Sequence, residues 1–135
     1  LMRRFHAARL AANSEVVVWG SGNPRREFLH VDDMAAACRF VMNTEYDLYR
    51  KHAPQALSHL NVGFGRDYAI RELADLMCKV TGYKGRLLFD TEKPDGTFRK
   101  LLDCESLNNL GWRPEISLEE GLIATYEWYL KNRAL

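Results

Sequence analysis

Apolar and polar positions along this chain alternate between the two-residue repeat of a strand and the longer repeat of a helix. Leu1, Phe5 and Ala8 fall on one face of an opening helix. The run VVVW that ends at Trp19 is typical of a short buried strand, because β-branched residues pack well on a pleated surface. Short strands that alternate with helices in this way predict an α/β fold.

Turn and capping residues set the boundaries of the remaining predicted elements. Extended segments are predicted at 26–31, 59–62, 86–89 and 98–102. A turn is predicted at KPDG (residues 93–96), and a helix tail followed by a loop over 44–58. Helices are predicted over MAAACRFVMN, over IRELADLMCKV, over 107–110 and after Ser117. Asp32 or Asp33 is expected to cap the first of these helices, and Gly82 to end the second. Ser117 with Glu120 predicts a capping box for the last helix.

Composition and charge narrow the class of protein. The 135 residues are 47% hydrophobic, which is enough for one domain, 1–135, with its own core. Nineteen basic and 18 acidic residues give a net charge of +1, which argues against a broad nucleic-acid-binding surface. No apolar stretch approaches the roughly 20 residues that span a bilayer, and the start lacks a signal-peptide core. We therefore expect a cytoplasmic protein without nucleic-acid or membrane partners.

Three cysteines, Cys38, Cys78 and Cys104, are odd in number and widely spaced. This spacing argues against a disulfide framework and against a metal site. Cys38 and Cys78 fall in apolar helical patterns, so both are predicted to be small core residues. The opening helix has no capping residue before it, which indicates a chain cut inside an element.

Candidate chemistry concentrates in the stretch VVVWGSGNPRREFLHVDD, between residues 16 and 33. Its glycines allow the backbone to approach a ligand closely, and Arg25 or Arg26 offers a planar charged fork that matches phosphate oxygens. Gly and Pro also make ordinary turns, and paired arginines are often only solvated, so these residues alone leave a purely structural turn open. The GFG at 63–65 is not a dinucleotide fingerprint, and no P-loop or GxSxG motif occurs.

Five stretches that together span nearly the whole chain carry a family resemblance: VVVWGSGNPRREFLHVDDMAAA, LSHLNVGFG, IRELADLMCKVTGYKGRLLFD, KPDGTFRKLLD and LGWRPEISLEEGL. They resemble the C-terminal, substrate-binding part of the extended short-chain dehydrogenase/reductases that act on nucleotide sugars, in the NAD-dependent epimerase/dehydratase family. KPDGTFRKLLD narrows the resemblance to members that act on a GDP-sugar. The resemblance implies a small mixed sheet with helices, the N-terminal Rossmann domain being absent from this sequence.

The resemblance also implies an activity for the full-length protein. Such an enzyme epimerises GDP-4-keto-6-deoxy-D-mannose at C3 and C5 and then reduces the C4 ketone with NADPH, giving GDP-L-fucose. In that family the N-terminal domain binds NADPH and supplies the Ser-Tyr-Lys set and the Cys and His of the epimerisation. This chain is therefore expected to hold no catalytic, cofactor-binding or metal-binding residue and to be inactive alone, whereas the full-length enzyme is expected to form a homodimer.

The resemblance implies that this chain binds the GDP-sugar. Six residues match substrate-binding positions of the family: Arg4, Trp19, Arg26, Arg86, Asp95 and Lys100. Arg26 and Arg86, on separate strands, are expected to hold the diphosphate by charge-assisted hydrogen bonds. Trp19 offers a flat apolar face with one N–H donor, and Lys100 a flexible cation. By pattern alone, Trp19 fits a core position and the charged residues fit solvated or turn positions.

Two departures from the family pattern bear on this expectation. Phe98 stands where the family usually has Pro, in the loop that carries Lys100, and Ala69 replaces a Ser or Thr cap, a loss of about 1 kcal/mol. Two other functions remain open. One is a UDP- or dTDP-sugar epimerase or dehydratase on the same scaffold, against which KPDGTFRK argues, and the other is a stand-alone, non-catalytic nucleotide-binding module.

Overall fold

The computed structural model describes residues 1–53 and 59–132, and within them helices alternate with short strands. In chain order the elements are α1 (Met2–Leu10), β1 (Glu15–Trp19), β2 (Arg25–Glu27), α2 (Val31–Met42), α3 (Tyr46–His52), β3 (Asp67–Ala69), α4 (Ile70–Thr81), β4 (Arg86–Asp90), β5 (Arg99–Lys100), α5 (Glu105–Leu110) and α6 (Leu118–Asn132). Among the described residues, β1 pairs with β4, and a second small sheet has the strand order β3-β2-β5. The predicted α/β class is confirmed.

The first of two compact units is built on the parallel pair of β1 and β4. It comprises Leu1–Arg26, Tyr68–Arg99 and Glu119–Leu135. The strand register runs from Glu15 opposite Arg86 to Trp19 opposite Asp90. Side chains alternate between the two faces of a strand, so two valines of β1 are buried while Trp19, on the opposite face, is 69% exposed.

Helix α1 packs against β1 and against helix α4. Phe5 of α1 is fully buried and meets the ring of Tyr83 edge-on, with the centroids 5.8 Å apart. Helix α4 buries Leu73 and Met77, as its helical spacing predicts, and ends at Gly82, whose φ of +71° confirms the predicted C-terminal stop. At its start, Ala69 gives no side-chain cap, and its amide donates to Oε2 of Glu72 at 2.6 Å.

The second unit has a separate apolar core. It comprises Glu27–Asp67 and Lys100–Leu118. Ala37 of α2 packs there with Leu107 and Leu110 of α5 and with Trp112, all of them buried. Leu60 and Val62 pack against the same cluster. Since no strand forms at 59–62, the predicted strand there is wrong: the apolar alternation reflects packing on this core rather than pairing in a sheet.

Helix α2 is capped differently from the prediction. Nδ1 of His30, the residue before the helix, accepts the amide of Asp32 at 3.3 Å. Asp33 is buried, and its carboxylate accepts the amides of Glu115 at 3.2 Å and Ile116 at 3.0 Å. The prediction of Asp32 or Asp33 as the N-cap is therefore wrong, because Asp33 is committed to a backbone segment more than 80 residues away.

Two further predictions are corrected in the second unit. The stretch 44–58 was predicted as a helix tail and a loop, yet α3 is a separate helix that follows an extended Glu45; residues 54–58 lie outside the described part. Cys38, predicted to be buried, is exposed on α2. Cys78 is partly buried and Cys104 is buried, and all three are free thiols. Burial raises the pKa of Cys78 and of Cys104, which disfavours their reactive thiolates.

Candidate functional site

A glycine turn follows β1 and leads towards the arginines of β2. Gly20 and Gly22 adopt φ of +83° and +77°, values that side-chain-bearing residues rarely adopt. The amide of Gly20 donates to the Asp90 carbonyl at 2.9 Å, and the Pro24 carbonyl accepts the amide of Ile70 at 3.0 Å. The turn is thus tied to β4 on one side and to α4 on the other.

Asp95, in the KPDG loop (residues 93–96), is hydrogen-bonded to Ser21 of this turn. One carboxylate oxygen accepts the amide of Ser21 at 2.8 Å, and the other accepts the Ser21 hydroxyl at 2.6 Å. These two bonds, the hydroxyl first, lower the pKa of Asp95 below its usual value. The residue that was expected to contact substrate therefore uses both of its oxygens within the protein.

Arg71 and Phe89 support the same turn and were missed from the sequence. Nη2 of Arg71 donates to the Ser21 carbonyl at 2.8 Å, and its guanidinium carbon lies 4.0 Å from the centre of the Phe89 ring. That ring fills the space beside Gly22. The helical position of Arg71 within IRELADLM signals only an exposed charge, and no local pattern relates it to Ser21, 50 residues earlier.

The stability effect of Asp95 is expected to depend on pH. Because its pKa is lowered in the folded state, Asp95 stabilises the fold above its unfolded pKa of about 3.9, and this contribution is lost as the pH falls through the lowered value. Asp95→Ala should therefore lower the urea midpoint more at about pH 7 than at about pH 3. Glu92→Ala, which removes an exposed acid from the same loop, should not show this difference. If Asp95→Ala lowered the urea midpoint by the same amount at both pH values, the expectation would be contradicted.

Arg26 lies half-buried on β2 beside the KPDG loop. Its Nη1 donates to the Arg25 carbonyl at 2.6 Å, and a Cβ placed on Gly96 would lie 3.3 Å from its Nη2. Arg25 in turn lies 3.6 Å from the carboxylate of Glu72. Of the two arginines considered from the sequence, Arg25 is thus beside an acid, whereas no carboxylate contact of Arg26 is found among the described residues.

Arg4 and Trp19 line one open groove between α1 and β1. The groove has a volume of about 460 Å³ and also contains Glu15 and Val17. Nη1 of Arg4 donates to the Val17 carbonyl at 2.9 Å, which holds the guanidinium along the strand. Trp19 is exposed, so its position differs from the core position that the strand pattern alone predicts.

Arg86 lies at the other end of the strand pair from Trp19. It stands opposite Glu15, four residues from the register position of Trp19, or about 13 Å along the strand. Arg86 forms an ion pair with Glu15, which lines the same groove as Trp19. Both side chains of this pair reach solvent, so the pair itself contributes little stability.

Lys100 belongs to the second unit, where Glu27 organises its neighbourhood. Lys100 is exposed at the end of β5. Two residues later, the amide of Leu102 donates to one carboxylate oxygen of Glu27 at 3.1 Å, and the amide of Gly65 donates to the other at 2.6 Å. Glu27 therefore joins the GFG loop to the segment that follows Lys100.

Removing the Glu27 carboxylate is expected to destabilise the fold. Glu27→Ala removes the shared acceptor of the Gly65 and Leu102 amides. Because both residues are exposed and water can replace the carboxylate, the free energy of unfolding should fall by only about 1 kcal/mol. Glu27→Gln keeps one carbonyl acceptor and should lose less. Urea denaturation of the two variants and of the wild type measures both differences. Equal stability of Glu27→Ala and wild type would contradict this role.

A second cavity, of about 490 Å³, lies within the second unit. Its lining includes Asp33, Arg39, Phe40, Trp112 and Arg113. None of the six predicted substrate-binding residues lies in it. In the described parts of the chain, no cluster of three or more His, Cys, Asp or Glu side chains could hold a metal ion. No helix there is long and apolar enough to cross a bilayer.

Comparisons with known proteins agree with the resemblance seen in the sequence. The model of the NAD dependent epimerase/dehydratase family matches residues 1–63. GDP-L-fucose synthase of Escherichia coli (strain K12) is 57% identical over 133 residues, which are 98% of this chain and 41% of that protein. GDP-L-fucose synthase 1 of Arabidopsis thaliana is 53% identical over 132 residues, 98% of this chain and 38% of that protein.

A solved structure extends the comparison to three dimensions. GDP-mannoheptose C4 reductase from Campylobacter jejuni, with NADP bound, superposes with a TM-score of 0.81 at 34% identity, covering 96% of this chain and 43% of that one. The chain spans about two fifths of the length of the curated relatives it matches. The chain is thus similar in sequence and fold, over nearly all of its residues, to part of these proteins, and the family model matches its first 63 residues.

Proposed function

We propose that this chain is the GDP-sugar-binding part of an NADPH-dependent GDP-L-fucose synthase, which converts GDP-4-keto-6-deoxy-D-mannose to GDP-L-fucose. The observation that carries the proposal is the 57% identity to the Escherichia coli enzyme over 98% of the chain. The geometry of the first unit adds support, since a half-buried arginine follows a glycine turn and an exposed tryptophan lines an open groove.

Arg26 is the proposed diphosphate ligand. Its guanidinium presents several N–H donors in one plane, and charge-assisted hydrogen bonds to phosphate oxygens are about twice as strong as neutral ones. Because the Arg26 side chain is already partly buried, it loses less conformational entropy when it binds a ligand than a fully exposed arginine would. Arg86 is proposed as a second guanidinium for the diphosphate and Lys100 as a further cation, as the resemblance implies.

Trp19 and Arg4 are proposed to hold the sugar and nucleotide in their groove. A Trp face shields apolar ring edges from water, and its single N–H can donate to a hydroxyl or carbonyl. Such contacts fix the ligand and leave the reacting carbons of the sugar to residues outside this sequence. The side chains proposed to hold the ligand are cations and one aromatic ring, whereas burial raises the pKa of Cys78 and of Cys104.

The chemistry itself is proposed to lie in the part of the relatives that this chain does not span. NADPH, when bound there, supplies hydride to C4 of the keto-sugar, and a Tyr protonates the C4 oxygen. The full-length protein is proposed to be a cytoplasmic homodimer, with residues 1–135 as its nucleotide-sugar-binding region.

A nucleotide titration followed by NMR tests the proposal. GDP should shift the indole N–H signal of Trp19 and the amide of Arg26 at concentrations at which UDP and dTDP have little effect. Arg26→Ala should weaken GDP binding about tenfold or more, because a hydrogen bond to a charged group contributes about 1.5–3 kcal/mol. Arg39→Ala, which removes an exposed arginine of α2, is the matched control and should bind GDP as the wild type does.

Three results would contradict the proposal. The absence of any GDP response in the folded wild-type chain would oppose a binding role for this part of the protein. Equal responses to GDP, UDP and dTDP would favour a different nucleotide-sugar enzyme. A GDP response that survives Arg26→Ala unchanged would oppose the diphosphate assignment.

A further inference from the structure

The segment 93–98, which begins with the KPDG loop, contacts the strand of Arg26 at two points besides the bonds of Asp95 to Ser21. Gly96, directly after Asp95, lies against the Arg26 guanidinium, since a Cβ there would be 3.3 Å from Nη2. The carbonyl of Phe98 accepts the amide of Arg25 at 2.7 Å. The segment 95–98 therefore lies against the Arg26 side chain at Gly96 and is bonded at Phe98 to the backbone of the preceding residue, Arg25.

Ser21 joins this loop to the glycine turn, and every polar group of its backbone and side chain is used. Its amide and hydroxyl donate to Asp95, and its carbonyl accepts from Arg71. Its hydroxyl also accepts the amide of Asn23 at 3.1 Å, which shapes the chain just before β2. Gly20 faces Asp95 so closely that a Cβ there would collide with the carboxylate.

We infer that Asp95 is a positioning residue. Its two hydrogen bonds to Ser21, called the clasp below, tie the KPDG loop to the Gly20–Gly22 turn and thereby hold Arg26 in the geometry that binds a diphosphate. The functional consequence rests on the proposed function, whereas the clasp itself does not. Asp95 acts through Ser21 and Gly96 rather than through contact with the ligand.

Electrostatics favour this role over direct contact. A carboxylate next to a diphosphate would repel it, since like charges in a partly water-excluded site are costly. Bonded through both oxygens to Ser21, the Asp95 charge is held by donors within the protein. The presence of Asp95 close to a proposed anion-binding site is thus explained by its bonds to Ser21, which hold the glycine turn in place.

The clasp predicts that Arg26 loses order when Asp95 is removed. In Asp95→Ala, ¹⁵N relaxation of Arg26 Nε should show markedly faster local motion, and the Ser21 amide should exchange with solvent about tenfold faster. Ser21→Ala removes the two bonds of the hydroxyl, to Asp95 and from the Asn23 amide, but keeps the amide bond to Asp95, so it should show the same effects to a smaller degree. Glu92→Ala removes a charge from the same loop and should leave both readouts unchanged.

Binding measurements then separate positioning from contact. GDP affinity should fall about three- to tenfold in Asp95→Ala and less in Ser21→Ala, and the double variant should be no weaker than Asp95→Ala, because both changes break one clasp. Unchanged Arg26 Nε dynamics in folded Asp95→Ala would overturn the inference, as would additive losses in the double variant. If the wild type binds no GDP, the proposed function fails, and the Nε dynamics alone decide whether the clasp positions Arg26.

Discussion

Phe5→Ala is expected to lower the free energy of unfolding by about 3–5 kcal/mol. Phe5 has no solvent-exposed surface, and its ring meets Tyr83 edge-on with the centroids 5.8 Å apart. Truncation removes the buried ring, leaves a cavity and breaks an aromatic pair that contributes about 0.5–1.5 kcal/mol beyond burial. Urea denaturation followed by circular dichroism measures the loss.

The matched control for Phe5→Ala lies on the same helix. Leu10 is 63% exposed near the end of α1, so Leu10→Ala should change stability by less than about 0.5 kcal/mol. Comparable losses in the two variants would show that helix α1, rather than the core contact of Phe5, determines the result. A loss below about 1 kcal/mol for Phe5→Ala would contradict the core position of its ring.

Local sequence patterns predicted the elements whose determinants lie close together in the chain. Helix α4 has apolar residues at helical spacing and a glycine stop within 13 residues, and β1 and β4 have short β-branched or apolar runs. These elements were predicted within a few residues of their observed ends. The start of α6 directly after Ser117 was predicted in the same way.

The errors fall where a distant partner decides the role of a residue. Asp33 has the identity and position of an N-cap, yet its carboxylate accepts the amides of residues 115 and 116. The apolar run at 59–62 resembles a strand, yet it packs on the core of the second unit. A local pattern indicates that a residue is polar or apolar, but not which distant segment it will meet.

The same limit applies to the candidate site. A resemblance to a family named Arg4, Trp19, Arg26, Arg86, Asp95 and Lys100, and their roles remain predictions. The sequence did not indicate that Ser21 and Arg71 join them, because the bonds of Ser21 to Asp95 and to Arg71 connect residues 74 and 50 positions apart. The supporting contacts become visible only when the turn, the helix and the loop are placed in space.

Gly22→Ala is expected to destabilise the protein by about 2–4 kcal/mol and to weaken nucleotide binding with it. Gly22 has a φ of +77°, and a Cβ there would lie 2.5 Å from Cε1 of Phe89. The ring cannot move freely, because Arg71 stacks on it and also holds the Ser21 carbonyl. The substitution therefore adds a steric clash to backbone strain, at the turn that leads to Arg26.

Gly65→Ala separates these two costs. Gly65 has the same φ of +77°, but a Cβ there meets nothing within 4 Å, so its loss should be that of the strained backbone alone, about 1–2 kcal/mol. Its amide bond to Glu27 is retained, because alanine keeps the N–H. The difference in unfolding free energy between the two variants then measures the contact of Gly22 with Phe89. Equal losses would mean that Phe89 yields without cost, and the turn would not depend on the Phe89–Arg71 stack.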